Sequence, residues 1–301
     1  MRIFKVLLFI AAAAAGITLA HDGLPVNENL GVPGFPDCVQ TVPDDRRSNA
    51  KDLHLTLECA QKKAAMADQI TIGCIGDSIT AGVHSSGGNH TYPGQLQILL
   101  DAKYPDKYVV TNLGACGSTM MKSADSPYWD RPQYTALTSA KWDILIIMLG
   151  TNDAKDAGSH GPHNWPHNCT GSHALDCPYA EDYQSMISLA HTLGSPEIFV
   201  AIPPPLMQQG AYGMNQSVIN DVFPNLIPAI AKKAGLKTKP IDIFDAMGGK
   251  KKSEFPPNGC TLDSTAADCG YFCDKQSCDQ CHPDDVGYHA MAGAMMAGIG
   301  L

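Results

Sequence analysis

The sequence predicts a three-layer α/β/α domain, doubly wound on a flavodoxin-like sheet of about five parallel strands. Three observations carry this. Apolar, β-branched runs recur at Ile70–Ile75, Tyr108–Leu113, Ile144–Leu149, Ile198–Ile202 and Pro240–Phe244, and they are continuous rather than alternating. Strands of that kind are buried on both faces, as in a parallel sheet. Between them lie helix-compatible stretches such as Pro93–Ala102, Tyr179–Thr192 and Val218–Ala234. That rhythm is the mark of repeated βαβ units.

The elements follow in order from the N-terminus. Met1-Arg2-Ile3-Phe4-Lys5 precedes an apolar run from Val6 to Ala15 and a small-residue ending at Thr18-Leu19-Ala20. This reads as a secretory signal peptide over 1–20. The uncharged stretch is shorter than the roughly 20 residues of a spanning helix, and no later segment is long and apolar enough for stable membrane insertion. Removal after Ala20 leaves 281 of 301 residues, enough for one sizeable domain. It also removes Arg2 and Lys5, taking the formal charge from −9 to −11. So acidic a chain is a poor partner for nucleic acid or anionic lipid.

Residues 21–66 are polar and Pro/Gly-punctuated, then helix-compatible from Ser48 to Met66, and read as an arm packed on the domain of 67–301. Two stretches, 154–178 and 248–281, interrupt the βα rhythm and carry cysteines. Both follow strand ends, on the side of the sheet that carries ligands, so they read as stapled loops that wall a pocket.

All eleven cysteines lie beyond residue 20. In a secreted chain they imply mostly disulfides, and the odd number leaves at least one outside an intramolecular pair. Cys38 with Cys59 and Cys169 with Cys177 are plausible local pairs; Cys74, inside the first strand, reads as a buried thiol. Cys278-x-x-Cys281 has zinc-like spacing, but an oxidising compartment favours disulfides. His160, His163 and His167 sit among Gly, Pro and Asn, which argues against a helix that would align them as metal ligands. No metal and no cofactor is expected. Three sequons, at Asn89, Asn168 and Asn215, fit a glycosylated surface.

The chemistry concentrates at strand ends. Ile75-Gly76-Asp77-Ser78-Ile79-Thr80 joins the first strand to a helix start and lifts the Ser78 hydroxyl to the ligand edge. The first-turn N–H groups there point outward and suit negative charge. The second strand ends Asn112-Leu113-Gly114-Ala115-Cys116-Gly117, the third Gly150-Thr151-Asn152-Asp153, and near the C-terminus stands Asp279-Gln280-Cys281-His282-Pro283.

These four segments, in this order, resemble the four blocks of the GDSL/SGNH hydrolase superfamily. The blocks cover about a third of the chain, mainly 70–155 and 275–295. The resemblance implies that Ser78 is a nucleophile, His282 its general base and Asp279 the acid that orients the imidazole. It also implies an oxyanion hole of the Ser78 N–H, the Gly114 N–H and the Asn152 amide. A serine hydroxyl needs an imidazole to take its proton, and a carboxylate to fix that imidazole's tautomer.

Each assignment has a competitor. Ser78 or Asn152 alone would suit a helix cap; Asp77 and Asp153 read as structural, bonding backbone at their turns. Asp285 and His289, four apart, form a rival acid–base pair, though Gly287-Tyr288 and the residues after them place His289 on a closing helix. The implied activity is a secreted serine esterase acting through an acyl-enzyme, first of all on O-acetyl groups of a carbohydrate; its partner is a small-molecule or glycan ester. A lipase or lysophospholipase, with Met120-Met121 and Pro203–Met207 walling an acyl pocket, is the second reading. An inactive carbohydrate-binding member is the third.

Overall fold

A computed structural model describes residues 31–32, 35–39, 69–156, 162–166, 168–254, 256, 259–265 and 267–301. The chain divides into two units, Met1–Val39 and Gln40–Leu301. In the first, β1 (Gly31–Val32) pairs antiparallel with β2 (Phe35–Val39). The 1–20 leader, the Ser48–Met66 helix and a Cys38–Cys59 bridge all fall outside the described side chains.

The second unit is built on β3 (Ile70–Gly76), β4 (Tyr108–Gly114), β5 (Ile144–Met148), β6 (Glu197–Ile202) and β7 (Ile241–Asp242). They form one five-stranded sheet in the order β4-β3-β5-β6-β7. Every pairing in it is parallel. All five side chains of β5 are buried, as its unbroken apolar run requires. The strand nearest the start of the domain, β3, is interior, with β4 on one side and β5 on the other. That reversal of winding direction opens a crevice at the carboxyl end of β3.

The helices are α1 (Ser78–Ala81), α2 (Tyr92–Lys103), α3 (Pro132–Thr138), α4 (Pro178–Ala190), α5 (Phe223–Lys233), α6 (Ile243–Ala246) and α7 (Asp285–Gly298). α2 packs against α7, and α4 against α5. The right-handed crossover rule puts these two pairs on opposite faces of the sheet.

Two predicted elements change. The fifth strand shrinks to Ile241–Asp242, because Asp242 accepts a hydrogen bond from Asp245 N (2.9 Å) and caps α6. The helix expected over Val218–Ala234 begins as a π-helical turn at Val218–Val222 and becomes regular at Phe223. Pro224 and Pro228 lack the N–H that a regular ladder would use at those places.

Three disulfides join described cysteines: Cys169–Cys177, Cys260–Cys269 and Cys273–Cys278. The zinc-like Cys278-x-x-Cys281 spacing is therefore not a paired motif. Cys278 is spent on Cys273, while Cys281 and Cys74 are buried thiols.

Candidate active site

Asp77 is the helix cap at the end of β3, its Oδ1 accepting from Ile79 N (2.9 Å). The cap is thus formed by Asp77 and not by Ser78. The Ser78 Oγ instead lies 2.8 Å from His282 Nε2. His282 Nδ1 lies 3.1 Å from Asp279 Oδ2. With Nδ1–H donating to that carboxylate, Nε2 is left as the acceptor of the serine proton. Ser78 and His282 are only 8 % and 5 % exposed, so the pair works largely out of water.

Asp279 Oδ1 accepts from Cys281 N (2.7 Å) and His282 N (2.9 Å), which closes the turn carrying both side chains. Oδ2 also accepts from Tyr212 Oη (2.6 Å). Burial by itself would raise the Asp279 carboxyl. The His282 hydrogen bond and charge, with the Tyr212 hydroxyl, overcome it and hold the group well below the usual carboxylate range.

The turn is pinned from outside. Asp279 N donates to Phe272 O and Asp284 N to Tyr271 O. Gln280 exchanges two hydrogen bonds with the backbone of Cys260. His84 Nδ1 donates to His282 O (3.2 Å), while its Nε2 meets Ser277 Oγ (2.7 Å). Nothing in the local sequence distinguished His84 from a surface histidine.

The loop after β4 lies against both neighbours. Ala115 N donates to Gly76 O (2.9 Å) and Asn152 Nδ2 to Ser118 O (3.1 Å). One Asn152 amide proton is used there and a second remains. Asp153 ties the same loops together, its two oxygens accepting from Met120 N and Met121 N at 2.8 Å each. Burial pushes the Asp153 carboxyl up to about 7.

Gly114, expected to offer its N–H to an oxyanion, donates it to Asn112 Oδ1 (2.9 Å). A Cβ at Gly114 would also collide with the Ala81 backbone, so glycine is required there for packing. Asn112-x-Gly114 is the side-chain-to-backbone pattern of an Asx turn, a signal present in the sequence. Three residues on, Gly117 has φ +75° with open space where a Cβ would be. Its need is conformational, and its N–H has no acceptor among the described residues.

The rival pair does not assemble. Asp285 accepts from Ser86 N and Oγ and meets His90, whereas His289 Nδ1 meets Gln95 Oε1 (2.6 Å). His163 pairs with Asp156, and His160 and His167 lie outside the described residues. No metal-binding group of three or more His, Cys, Asp or Glu occurs among the described residues. Met120, Met121, Leu206 and Met207 are at most 1 % exposed and belong to the core. A cavity lined by Thr71, Lys141 and Leu193 lies at the opposite, amino-terminal end of the strands, away from Ser78.

A bacterial acetylxylan esterase from Xylanibacter ruminicola is 29% identical over 185 residues, which is 58% of this chain and 36% of the relative. The chain thus matches only about a third of that relative's length. A crystal structure of an acetyl xylan esterase superposes with a TM-score of 0.52 at 21% identity, covering 76% of this chain and 100% of the other. A carbohydrate acetylesterase from Sinorhizobium meliloti gives 0.51 at 17%, covering 77% and 98%. At those identities the superpositions speak for the fold. Residues 74–290 match the GDSL-like lipase/acylhydrolase family, a span holding both the Ser78 turn and the His282 turn, and the chain belongs to that family.

Proposed function

We propose that the protein is a secreted serine esterase that removes O-acetyl groups from a carbohydrate through an acyl-enzyme. One observation carries the reading: an ordered Asp279–His282–Ser78 relay, at 3.1 and 2.8 Å, closed across a sequence separation of 204 residues. Ser78 Oγ attacks the ester carbonyl carbon as its proton passes to His282 Nε2. The C–O bond to the sugar then breaks, and the imidazolium returns the proton to the leaving hydroxyl. Water, activated by the same imidazole, releases acetate and restores Ser78.

The developing oxyanion is received by the Ser78 N–H, the second Asn152 amide proton and the Gly117 N–H. Gly117 replaces Gly114 in that role because the Gly114 N–H is already spent on Asn112. The acid never takes the proton. Its four donors keep it ionised, and its part is to hold the imidazole and stabilise the imidazolium.

Two further points favour a short acyl group on a polar carrier. The acetylxylan esterase relative supports acetyl chemistry. The methionines and leucine offered as walls for a long acyl chain are buried in the core. Three disulfides among the described residues support an oxidising, extracellular setting, and no described helix is long and apolar enough to cross a membrane.

The test combines fluorophosphonate labelling with acetate release from acetylated xylan and a comparison of short- and long-chain p-nitrophenyl esters. Labelling at Ser78 with a short-chain preference is expected. A long-chain preference would replace deacetylation by lipolysis, and a protein that is neither labelled nor active on any ester would end the enzyme reading.

A further inference from the structure

Tyr212 is one of the few large apolar side chains left in solvent, 59 % exposed, and it sits at the tip of a tight turn. Its backbone is left-handed (φ 51°, ψ 23°), a conformation that costs a non-glycine residue about 1–2 kcal/mol. The turn is nevertheless closed by Gly213 N donating to Gly210 O and Met214 N to Ala211 O, both 2.9 Å. Backbone strain of this kind persists where the surroundings impose it, and it gathers at functional sites.

Both ends of the turn have fixed attachments. On one side, Asp156 N donates to Gly213 O (2.9 Å) and Asn215 N to Ala154 O (2.8 Å), so the turn is sewn to the segment that follows Asn152. On the other, the Tyr212 hydroxyl donates to Asp279 Oδ2, the same oxygen that receives His282 Nδ1. The tyrosine ring stands edge-on to the imidazole with centroids 5.1 Å apart. One side chain therefore braces the acid, backs the base, and ties both to the loop that carries the Asn152 amide.

We propose that Tyr212 is a positioning residue of the esterase, holding Asp279 and His282 in register with the Asn152 loop. The inference rests on the hydrolase reading above. The hydroxyl has two effects of opposite sign. It fixes the carboxylate, which favours turnover, and it draws on the negative charge that would otherwise go wholly to the imidazolium. Among the described residues, the other titratable groups facing the pair are Asp77, Cys281, Tyr288 and His84, and all four are kept in Tyr212→Phe.

Tyr212→Phe and Tyr212→Ala are compared with wild type for p-nitrophenyl acetate hydrolysis, fluorophosphonate labelling rate and melting temperature, across acid to neutral pH. Tyr212→Phe should lower kcat and labelling about tenfold with KM unchanged. Its acid limb in kcat/KM should move upward, because Asp279 Oδ2 no longer shares its charge with the tyrosine hydroxyl. Tyr212→Ala, which also loses the ring, should lose more. An unchanged kcat and acid limb in Tyr212→Phe would overturn the proposal, as would a loss that follows the melting temperature with the limb unmoved.

A wild type that resists labelling points to failure of the hydrolase reading itself. The low-field proton resonance of His282 Nδ1–H still tests the brace in that case. Its displacement in Tyr212→Phe supports the contact, and an identical resonance in both proteins refutes it.

Discussion

Ser78 leaves the end of β3, a strand with parallel neighbours on both sides and five of its seven residues buried. His282 arrives on an irregular segment between the 3₁₀ turn Ala267–Tyr271 and α7, held by two disulfides, Gln280, His84 and Tyr212. Ser78 inherits its place from the core and cannot move without disturbing the sheet. His282 depends on a handful of side-chain links, and those from Gln280, His84 and Tyr212 can be removed without cutting into the core. In this protein the two halves of the proposed catalytic device therefore differ in what supports them. Damage to the second half should cost activity before it costs folding.

The sharpest break is chemical. Ser78→Ala and His282→Ala should each lower kcat by about 10⁴–10⁶ while the melting temperature stays near wild type, since both leave the core intact. Activity surviving in His282→Ala but lost in His289→Ala would transfer the base to α7.

Next come the oxyanion donors. Asn152→Ala should cost about 10²–10³ in kcat with little change in KM. Gly117→Ala should reduce kcat with a stability cost of about 1 kcal/mol, because its positive φ disfavours any Cβ. Gly114→Ala should instead lose about 1–3 kcal/mol of stability through its collision with Ala81. Denaturant titrations beside steady-state kinetics separate the two, and the reverse pattern would return the donor role to Gly114.

The loop supports come third. Replacing Cys273 and Cys278 together by serine should cost about 2 kcal/mol or less of stability, as the bridge closes only a short loop. Activity should fall further than that cost explains, because the loop ends one residue before Asp279. Thermal melts with kinetics on the double variant check this, and parallel losses would make the bridge a stability element alone.

The last effect is pH-linked and belongs to the rigid half. Unfolded, an aspartate loses its proton near pH 3.9, but burial holds Asp153 up to about 7 and Asp77 up to about 6. Between those limits the native state binds more protons than the unfolded one, so these groups make stability fall as pH rises from about 4 to 7. One proton contributes at most about 1.4 kcal/mol per pH unit. Asp279, whose carboxyl is lowered, acts oppositely: its contribution is present above the unfolded value and lost on acidification. Asp153→Asn should flatten the fall measured by denaturant unfolding at several pH values, and an unchanged slope would put the linkage elsewhere.

The runs at 70–75, 108–113, 144–149 and 198–202 announced their strands because apolar continuity follows directly from burial on both faces. Pro240–Phe244 looked the same, but a local competitor, the Asp242 cap, ended it early. Gly114 is the glycine that the family resemblance puts in the oxyanion hole, yet its N–H goes to Asn112. The Asx bond from Asn112 was written in the sequence, but φ +75° at Gly117 was not. Tyr212 and His84 escaped altogether, since their partners lie 67 and 198 residues away.

By itself the sequence determined the doubly wound sheet and the nucleophile turn. Hydrophobic period and turn chemistry are local properties, and the parallel pairing of successive strands leaves few arrangements open. Tertiary structure alone decided that Tyr212 reaches Asp279, that His84 reaches His282, and that Asn152 reaches Ser118. Those choices are settled by hydrogen bonds between distant segments, whose geometry exists only once the sheet has placed their ends together.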